Sequence, residues 1–287
     1  MKRLIGLVMV FIMVFSMVAC GTKDTKNGDD ASGTKDTGNA SDDAKNDSLN
    51  YIKNRGKLIL GLDDAFPPMG FRDDADNIVG FDIDLAQAVC DKLGIELVLQ
   101  PIDWDAKEQE LNTKNIDCIW NGFSVTPDRL KNLTMSDPYM ENSISLVVTK
   151  DSTIKSMTDM SGKSLAVQSG SSAEEALNSE DNKDFKASLG KTNDFGDYNT
   201  ALMDLETGNS DAVLMDSVVA NYMITEAGKD FVVLSDNLVA EEYAVGFRKG
   251  EKALCDAIVT ALKELKADGK VTEISTKWFG SDITIIK

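Results

Sequence analysis

Short apolar runs alternate with amphipathic helical segments along most of the chain, and this alternation constrains the fold more than any other feature of the sequence. Residues 57–62 predict a buried strand, and a helix with one apolar face is predicted from about Asp82 until Gly94 ends it. Residues 95–100 and 116–120 predict two further strands. Strands that alternate with helices indicate an α/β fold with a largely parallel sheet.

A second unit of the same kind begins near Lys150. Residues 164–167 predict a strand, 173–177 predict the start of a helix, and 212–215 predict another strand. A long amphipathic helix is predicted over 252–268. The apolar residues expected on its inner face are Leu254, Ile258, Ala261, Leu262 and Leu265.

Segments 115–122 and 209–216 share one plan: an Asn-x-Asp turn, a short apolar strand, and polar or small residues where the strand ends. In open α/β sheets, ligands bind beyond the carboxyl ends of the strands. The two segments are therefore expected to face each other across a cleft. Chance similarity between two α/β turns is an equally good explanation of the pattern on this evidence alone.

Composition excludes several kinds of chemistry. The formal net charge of -18 argues against nucleic acid as a partner, because phosphates require a basic surface. Histidine is absent, so no Ser-His-Asp or Cys-His nucleophile and no imidazole metal site can be built, whereas lysine or two-carboxylate chemistry stays open. Cys90, Cys118 and Cys255 match no zinc or CxxC spacing and are expected to be small buried hydrophobes. We expect no metal and no cofactor.

The N-terminus has the layout of a secretory signal: two basic residues, an apolar run over 4–15, and small residues before Cys20. The apolar run is short for a membrane-spanning helix, which needs about 20 residues. The final Met-Val-Ala-Cys resembles the bacterial lipobox, with methionine where leucine is usual. We expect a signal peptide over 1–19 and lipidation of Cys20. A plain signal peptide that is cut nearby is the alternative.

Residues 21–48 are glycine and polar or charged residues with only three alanines as apolar side chains. Such a segment buries too little surface to offset the entropy of ordering, so residues 20–48 are predicted to be a lipidated cysteine followed by a disordered linker.

Several ordered motifs resemble the polar amino-acid solute-binding proteins of ABC importers, family 3 of the bacterial extracellular solute-binding proteins. The resemblance covers about residues 49–279 and rests on segments 61–68, 80–86, 117–129, 136–139, 162–172 and 268–270. It implies a two-lobed periplasmic-binding-protein-like fold (type II) whose lobes are joined by two hinge strands, near 145–148 and 243–246. Lobe 1 is expected to comprise 49–145 and 244–287, and lobe 2 to comprise 146–243.

The resemblance also implies roles at the amino-acid backbone. Arg129 matches the arginine that binds the ligand carboxylate, for which a planar guanidinium fork is well suited. Asp216 matches the aspartate that binds the α-ammonium. Ser124 matches a hydroxyl that contacts the ligand backbone, and Gly122 a position that contributes main-chain groups. Asn121 stands where relatives often have a small residue or serine, so its contact is less well defined.

Further matches concern the ligand side chain and lobe 2. Phe66 and Trp104 match aromatic walls, and Asp63 matches a carboxylate that contacts a polar or cationic side-chain end. These features favour histidine, arginine, lysine or glutamine over a small apolar ligand. The remaining matches, at a helix N-terminus where an anion is favoured, are Gly170, Ser171 and Ser172.

The predicted function is capture of a free polar amino acid outside the cytoplasm, by a lipid-anchored monomer that delivers its ligand to the permease of an ABC importer. The chain is not expected to be an enzyme. The alternatives are a cystine or sulfur amino-acid binder, a dehydratase on the same fold that acts on cyclohexadienyl acids, and a detached sensor subunit. The dehydratase would need a cleft carboxylic acid as general acid, and the sequence indicates none beyond the predicted ligand-binding residues.

Overall fold

The structure, a computed structural model, describes residues 47–225 and 228–287. The signal peptide, the lipidation site Cys20 and all of the predicted linker except its last two residues lie outside the described residues. The helices of the described residues, numbered in chain order, are α1 (Ser48–Arg55), α2 (Phe81–Leu93), α3 (Lys107–Asn112), α4 (Pro127–Asn132), α5 (Ser172–Leu177), α6 (Lys183–Ser188), α7 (Tyr198–Glu206), α8 (Ser217–Thr225), α9 (Lys252–Ala267) and α10 (Lys270–Phe279).

The strands of the same residues are β1 (Lys57–Leu62), β2 (Ala65–Phe66), β3 (Gly70–Arg72), β4 (Ile78–Val79), β5 (Glu96–Pro101), β6 (Cys118–Ser124), β7 (Leu133–Met135), β8 (Met140–Thr149), β9 (Ser164–Gln168), β10 (Lys191–Phe195), β11 (Ala212–Asp216) and β12 (Phe231–Arg248). The large sheet runs in the order β10-β9-β11-β8-β12-β6-β1-β5, with β7 beside β12. Strands β2, β3 and β4 form a small separate sheet.

Two parallel groups of strands are separated by a long antiparallel pair. Strands β5, β1 and β6 are parallel in lobe 1, and β10, β9 and β11 are parallel in lobe 2. Between them, β8 and β12 pair antiparallel with each other, β8 with β11, and β12 with β6. The two-lobed α/β fold is thereby confirmed, and the predicted hinge segments fall inside β8 and β12.

The helices of lobe 1 bury the faces that the sequence indicates. All five inner residues predicted for α9 are buried, and this helix packs against α2 and α10. Helix α2 ends at Gly94, whose φ of 69° is a left-handed conformation that glycine adopts without steric cost. Ser48, which the sequence placed in the linker, is the first residue of α1, and its hydroxyl accepts a hydrogen bond from the Leu254 N–H at 3.1 Å.

Strand β6 differs from its prediction. It was expected over 116–120, yet it begins at Cys118 and continues to Ser124. The sequence predicts that the strand ends where its polar and small residues begin. They remain in the sheet because Phe123 and Ser124 pair with Ala244 and Tyr243 of β12. The extension matters because it carries three predicted site residues along the interface between the lobes.

The three cysteines of the described residues, Cys90, Cys118 and Cys255, are free and buried, which confirms the prediction of small buried side chains. Burial raises the pKa of the Cys90 thiol to about 12. Among the helices in the described part of the chain, none is both long and apolar enough to cross a membrane.

Candidate functional site

Polar side chains from both lobes converge on one small cavity at the carboxyl ends of the strands. The space between them is about 10 Å³, roughly the room that a single water molecule needs. The lobes are therefore in contact around this cavity. Its lining residues are Phe66, Trp104, Gly122, Arg129, Gln168, Ser171, Ser172 and Asp216.

Arg129 brings a buried cation to the lobe 1 side of the cavity. It lies in the first turn of α4, where the Thr126 hydroxyl caps the helix by accepting the Arg129 N–H at 3.3 Å. Its side chain is 4% exposed; Nη1 donates to the Ser124 carbonyl at 2.8 Å, and the guanidinium carbon lies 4.1 Å from the centroid of the Phe123 ring. Among the described residues, no carboxylate lies within ion-pairing distance of this guanidinium.

Asp216 brings a buried anion to the lobe 2 side of the cavity. It is the last residue of β11 and is 3% exposed. Its carboxylate accepts hydrogen bonds from Asn142 Nδ2 at 2.7 Å, the Tyr243 hydroxyl at 2.6 Å and the Tyr198 hydroxyl at 3.2 Å. All three donors are neutral, and burial raises the pKa of Asp216. The described residues offer no cation within ion-pairing distance of this carboxylate either.

Ser124 and Ser172 link the two lobes directly. Ser124 is the last residue of β6, Ser172 is the first residue of α5, and their hydroxyl oxygens are 3.1 Å apart. Ser171 is the N-cap of α5: its hydroxyl accepts the Glu174 N–H at 3.1 Å and donates to the Gln168 carbonyl at 2.7 Å. The hydroxyl of Ser171 is thus used within lobe 2, whereas those of Ser124 and Ser172 meet between the lobes.

Gly170 contacts lobe 1 through its main chain. Its N–H donates to the Glu174 carboxylate at 2.6 Å, and its carbonyl accepts from Lys107 Nζ of lobe 1 at 2.7 Å. Burial lowers the pKa of Lys107 to about 8, and the nearby charge of Arg129 adds to this effect. The sequence predicts that the N-terminus of α5 favours an anion, and the carboxylate of Glu174 is an anion bound there by the Gly170 N–H. The carbonyl of Gly170 contributes a contact between the lobes.

Asp63 does not line the cavity itself but bonds to Gln168, which does. It is buried, and its carboxylate accepts the Gln168 amide at 2.7 Å and the Ala65 N–H at 2.9 Å. Gln168 also donates to the Gly196 carbonyl at 3.0 Å. Burial raises the pKa of Asp63 to about 6, against the effect of its hydrogen bonds, and the nearby Asp197 raises it further.

Two aromatic side chains line the cavity, as the sequence predicts. Phe66 lies 5.8 Å from the ring of Tyr198, and Trp104 stacks edge-on to Phe123 at 5.9 Å. Trp120 is fully buried, with its ring 6.4 Å from that of Tyr139, and it does not line the cavity. Phe66 and Trp104 thus give the cavity two apolar walls.

Gly122 and Asn121 shape the lobe 1 wall. Gly122 has a φ of 57°, and a Cβ there would lie 2.7 Å from Phe66, so the position requires glycine. Its N–H donates to the buried carboxylate of Asp82 at 2.7 Å, which fixes the main chain beside the cavity. Asn121 lies behind this wall, where its side-chain oxygen accepts the Asp63 N–H at 3.1 Å.

The structure therefore brings the eleven predicted ligand-site residues together. Seven of them line the cavity; Asp63 and Ser124 bond directly to lining residues; Asn121 and Gly170 lie behind them. Sequence reasoning missed six polar residues that hold or complete the site. Gln168 ends a strand and could have been found by the strand-end rule, but no local signal marks the other five, which are Lys107, Asn142, Tyr198, Glu241 and Tyr243.

The fold, with a charged cavity where its lobes meet, is that of a two-lobed solute-binding protein. Residues 58–281 match the bacterial extracellular solute-binding proteins, family 3, and the chain belongs to this family. It is 33% identical over 238 residues to the L-cystine-binding protein TcyJ of Escherichia coli, which covers 82% of this chain and 87% of that protein.

Two other relatives match over much of the chain. The arginine-binding extracellular protein ArtP of Bacillus subtilis is 29% identical over 282 residues, 97% of this chain and 98% of that one. The crystal structure of an ABC uptake transporter substrate-binding protein from Streptococcus pneumoniae with bound histidine is 40% identical, with a TM-score of 0.80; the match covers 83% of this chain and 98% of that one. These relatives are named as binding proteins rather than enzymes.

Proposed function

We propose that this chain is the extracytoplasmic substrate-binding protein of an ABC importer and that it captures one free polar amino acid between its lobes. The observation that carries the proposal is the pair Arg129 and Asp216. They are buried charges of opposite sign that line one cavity, and neither has an ion-pair partner in the described residues. An isolated buried charge costs several kcal/mol, and an α-amino acid carries the two complementary charges on one carbon.

The proposed roles follow from this pair. The ligand carboxylate binds the free N–H groups of Arg129, and the α-ammonium binds Asp216. The hydroxyls of Ser124 and Ser172 complete the contacts with the ligand backbone. Because the cavity is only about 10 Å³ in this structure, an amino acid enters when the lobes separate, and the lobes then close on it by bending at β8 and β12.

The side-chain end of the cavity supports a ligand with a polar or cationic tip. Asp63 supplies a carboxylate there, Gln168 supplies an amide, and Phe66 and Trp104 supply aromatic walls. We therefore propose histidine, arginine, lysine or glutamine as the ligand class, with cystine as the alternative. Cystine has a second zwitterionic head group, which would need an additional cation at this end.

The remaining proposals concern organisation and location. We place lobe 1 in residues 49–145 and 244–287 and lobe 2 in 146–243, so that both boundaries fall in or beside the hinge strands. We propose that residues 1–19 are a signal peptide and that a lipidated Cys20 and the linker to residue 48 tether a monomer to the membrane beside its permease. Cys20→Ser should move the protein from the membrane fraction to the soluble fraction; retention at the membrane would contradict the anchor.

A thermal-shift screen against the free amino acids tests the proposed function, because a ligand that binds only the folded state raises the melting temperature. We expect a clear shift with one or two polar amino acids and none with Arg129→Ala. Lys131→Ala, an exposed cation on the same helix, should retain the shift. A shift only with sugars, peptides or cyclohexadienyl acids would overturn the amino-acid function.

A further inference from the structure

Glu241 places another carboxylate beside the binding cavity, where it lines the adjoining groove and bonds to the cavity-lining Ser172, and nothing in the proposed function requires it. It lies on the returning hinge strand β12, directly opposite Asn142 of β8. Successive side chains of a strand point to opposite faces, so Glu241 shares a face with Tyr243, whose hydroxyl bonds to Asp216. Glu242, between them, is exposed on the other face.

The hydrogen bonds of Glu241 place its carboxylate among the groups that are proposed to hold the ligand backbone. Oε2 accepts from the Ser124 hydroxyl at 2.6 Å and the Ser172 hydroxyl at 3.0 Å, one from each lobe. It also lies 3.4 Å from Asn142 Nδ2, the same amide nitrogen that donates to Asp216 at 2.7 Å. One N–H₂ group thus bridges two carboxylates.

Other charged and titratable groups face Glu241 from the surrounding elements. Asp216 faces it from β11 and Arg129 from α4, and the hydroxyls of Tyr198 and Tyr243 lie beside both carboxylates. None of the cations of the described residues is within ion-pairing distance of Glu241.

Glu241 lines the adjoining groove, and this groove adds one cation and two carboxylates: Lys131 and Asp128 of α4 and Glu175 of α5.

Asp216 is buried and Glu241 is partly buried, and two neighbouring carboxylates in such a site cannot both ionise without cost. Burial, and then the charge of Asp216, raise the pKa of Glu241 to about 7, although its hydroxyl donors and Arg129 act in the opposite direction. Burial also raises the pKa of Asp216. At a pH near 7 the pair is therefore protonated in part, and the proton is shared between its two carboxylates.

We propose that Glu241 and Asp216 together form a two-carboxylate subsite for the ligand ammonium, which displaces the proton that the pair shares. The inference rests on the proposed amino-acid function and deepens it. The protonated form of the pair has one negative charge and one proton; when the ammonium enters, both carboxylates ionise and the proton passes to solvent. Glu241 is therefore a specificity residue, because only a ligand with a cationic α-nitrogen can replace the proton.

The sign of the pH dependence follows from this exchange. The ammonium stabilises the ionised pair, so the bound ligand lowers the pKa of Glu241. Binding therefore tightens as pH rises through the pKa that Glu241 has in the unliganded protein, about 7. Below that pH the affinity falls by at most about tenfold per pH unit. An amino-acid ammonium stays protonated over this range, so it adds no dependence of its own.

Isothermal titration calorimetry in buffers of different ionisation enthalpy counts the protons released on binding. The probes are arginine and glutamine. Glutamine is included because it has no charged side chain that would change the pKa of Asp63. At pH 7 we expect release of up to one proton with either probe. Glu241→Gln should release none with glutamine, lose its pH dependence between pH 5.5 and 8, and bind about tenfold or more weakly at pH 7.5. Glu242→Gln is the matched control and should behave like the wild type.

The possible outcomes separate the two proposals. Binding without proton release by the wild-type protein overturns the two-carboxylate subsite but leaves the amino-acid function intact, and this result does not depend on any variant folding. Proton uptake, or tighter binding by Glu241→Gln, would mean that Glu241 lies against the ligand carboxylate, and it also overturns the subsite. If neither of these probes binds, and histidine and lysine do not bind either, the proposed ligand class fails and this inference fails with it.

Discussion

The cation and the anion of the cavity are held in different ways. Asp216 accepts hydrogen bonds from three neutral donors that approach from β8, α7 and β12. Arg129 donates one N–H to the Ser124 carbonyl and packs over the Phe123 ring. Its other N–H groups have no acceptor among the described residues. The carboxylate of Asp216 is thus already hydrogen-bonded by the protein, whereas most N–H groups of Arg129 are available to a ligand.

This difference shows which charge depends more on a ligand. A carboxylate with several hydrogen bonds is partly compensated in the free protein, so a ligand ammonium improves its surroundings only in part. A buried guanidinium with one hydrogen bond has most of its donors left to satisfy, and a ligand carboxylate can satisfy two of them in parallel. We therefore expect the ligand carboxylate at Arg129 to contribute most of the affinity.

The largest expected effect is that of Arg129→Met. Truncating one partner of a buried charge pair costs about 2–5 kcal/mol, so the affinity for the amino acid should fall by about a thousandfold, toward the upper part of that range. The free energy of unfolding of the unliganded protein should not fall, because an apolar side chain replaces a buried charge that lacks an ion-pair partner.

Calorimetry measures the affinity of Arg129→Met, and thermal melts measure its stability. Lys131→Met, on the exposed side of the same helix, is the control and should bind normally. An affinity within tenfold of wild type would contradict the inference that Arg129 depends more on the ligand than Asp216 does, because the ligand carboxylate would then bind elsewhere.

The second effect concerns Asp63, the carboxylate that bonds to the cavity-lining Gln168. Asp63→Asn should weaken arginine by about ten- to a hundredfold, the typical value of a hydrogen bond to a charged group, and glutamine by less than about threefold. The pKa of Asp63 is about 6, and a cationic side chain stabilises its ionised form. The preference for arginine over glutamine should therefore increase as pH rises through 6 and disappear in the variant.

The ratio of the two affinities is the quantity to measure, because both ligands carry the same α-ammonium and any proton exchange at Asp216 and Glu241 cancels. Calorimetric titrations at pH 5, 6 and 7 suffice. Equal losses for arginine and glutamine would show that Asp63 acts on the shape of the cavity and does not contact the ligand side chain.

Much of the fold and of the cavity could be predicted because the signals are local. The apolar run over residues 57–62 predicted β1 with its observed bounds, and the rule that ligands bind at strand ends indicated the end of β11, where Asp216 lies. Asp63 was indicated only by the resemblance to the solute-binding family. Gly122 shows why one side-chain-free position was required there: its left-handed backbone and the nearby Phe66 ring leave no room for a Cβ.

The rest depends on pairing between distant segments. Tyr243 and Glu241 reach the residues that line the cavity only because β12 pairs with β6 on one side and β8 on the other, with register shifts along its length. A shift of one residue would turn Glu242 toward the cavity in place of Glu241, and no local pattern fixes that register. Lys107 would likewise read as an exposed helix residue unless the position of Gly170 were known.

The smallest expected effects come from the donors of Asp216 and sharpen the comparison of the two charges. Tyr243→Phe removes the 2.6 Å hydrogen bond and Tyr198→Phe removes the 3.2 Å one. Since Asn142 and one tyrosine remain in each variant, the affinity for an amino acid should fall by no more than about tenfold, and more for Tyr243→Phe than for Tyr198→Phe. Calorimetry at pH 7.5 measures both. If either variant lost as much affinity as Arg129→Met, the anion would depend on a single donor and the contrast between the two charges would be wrong.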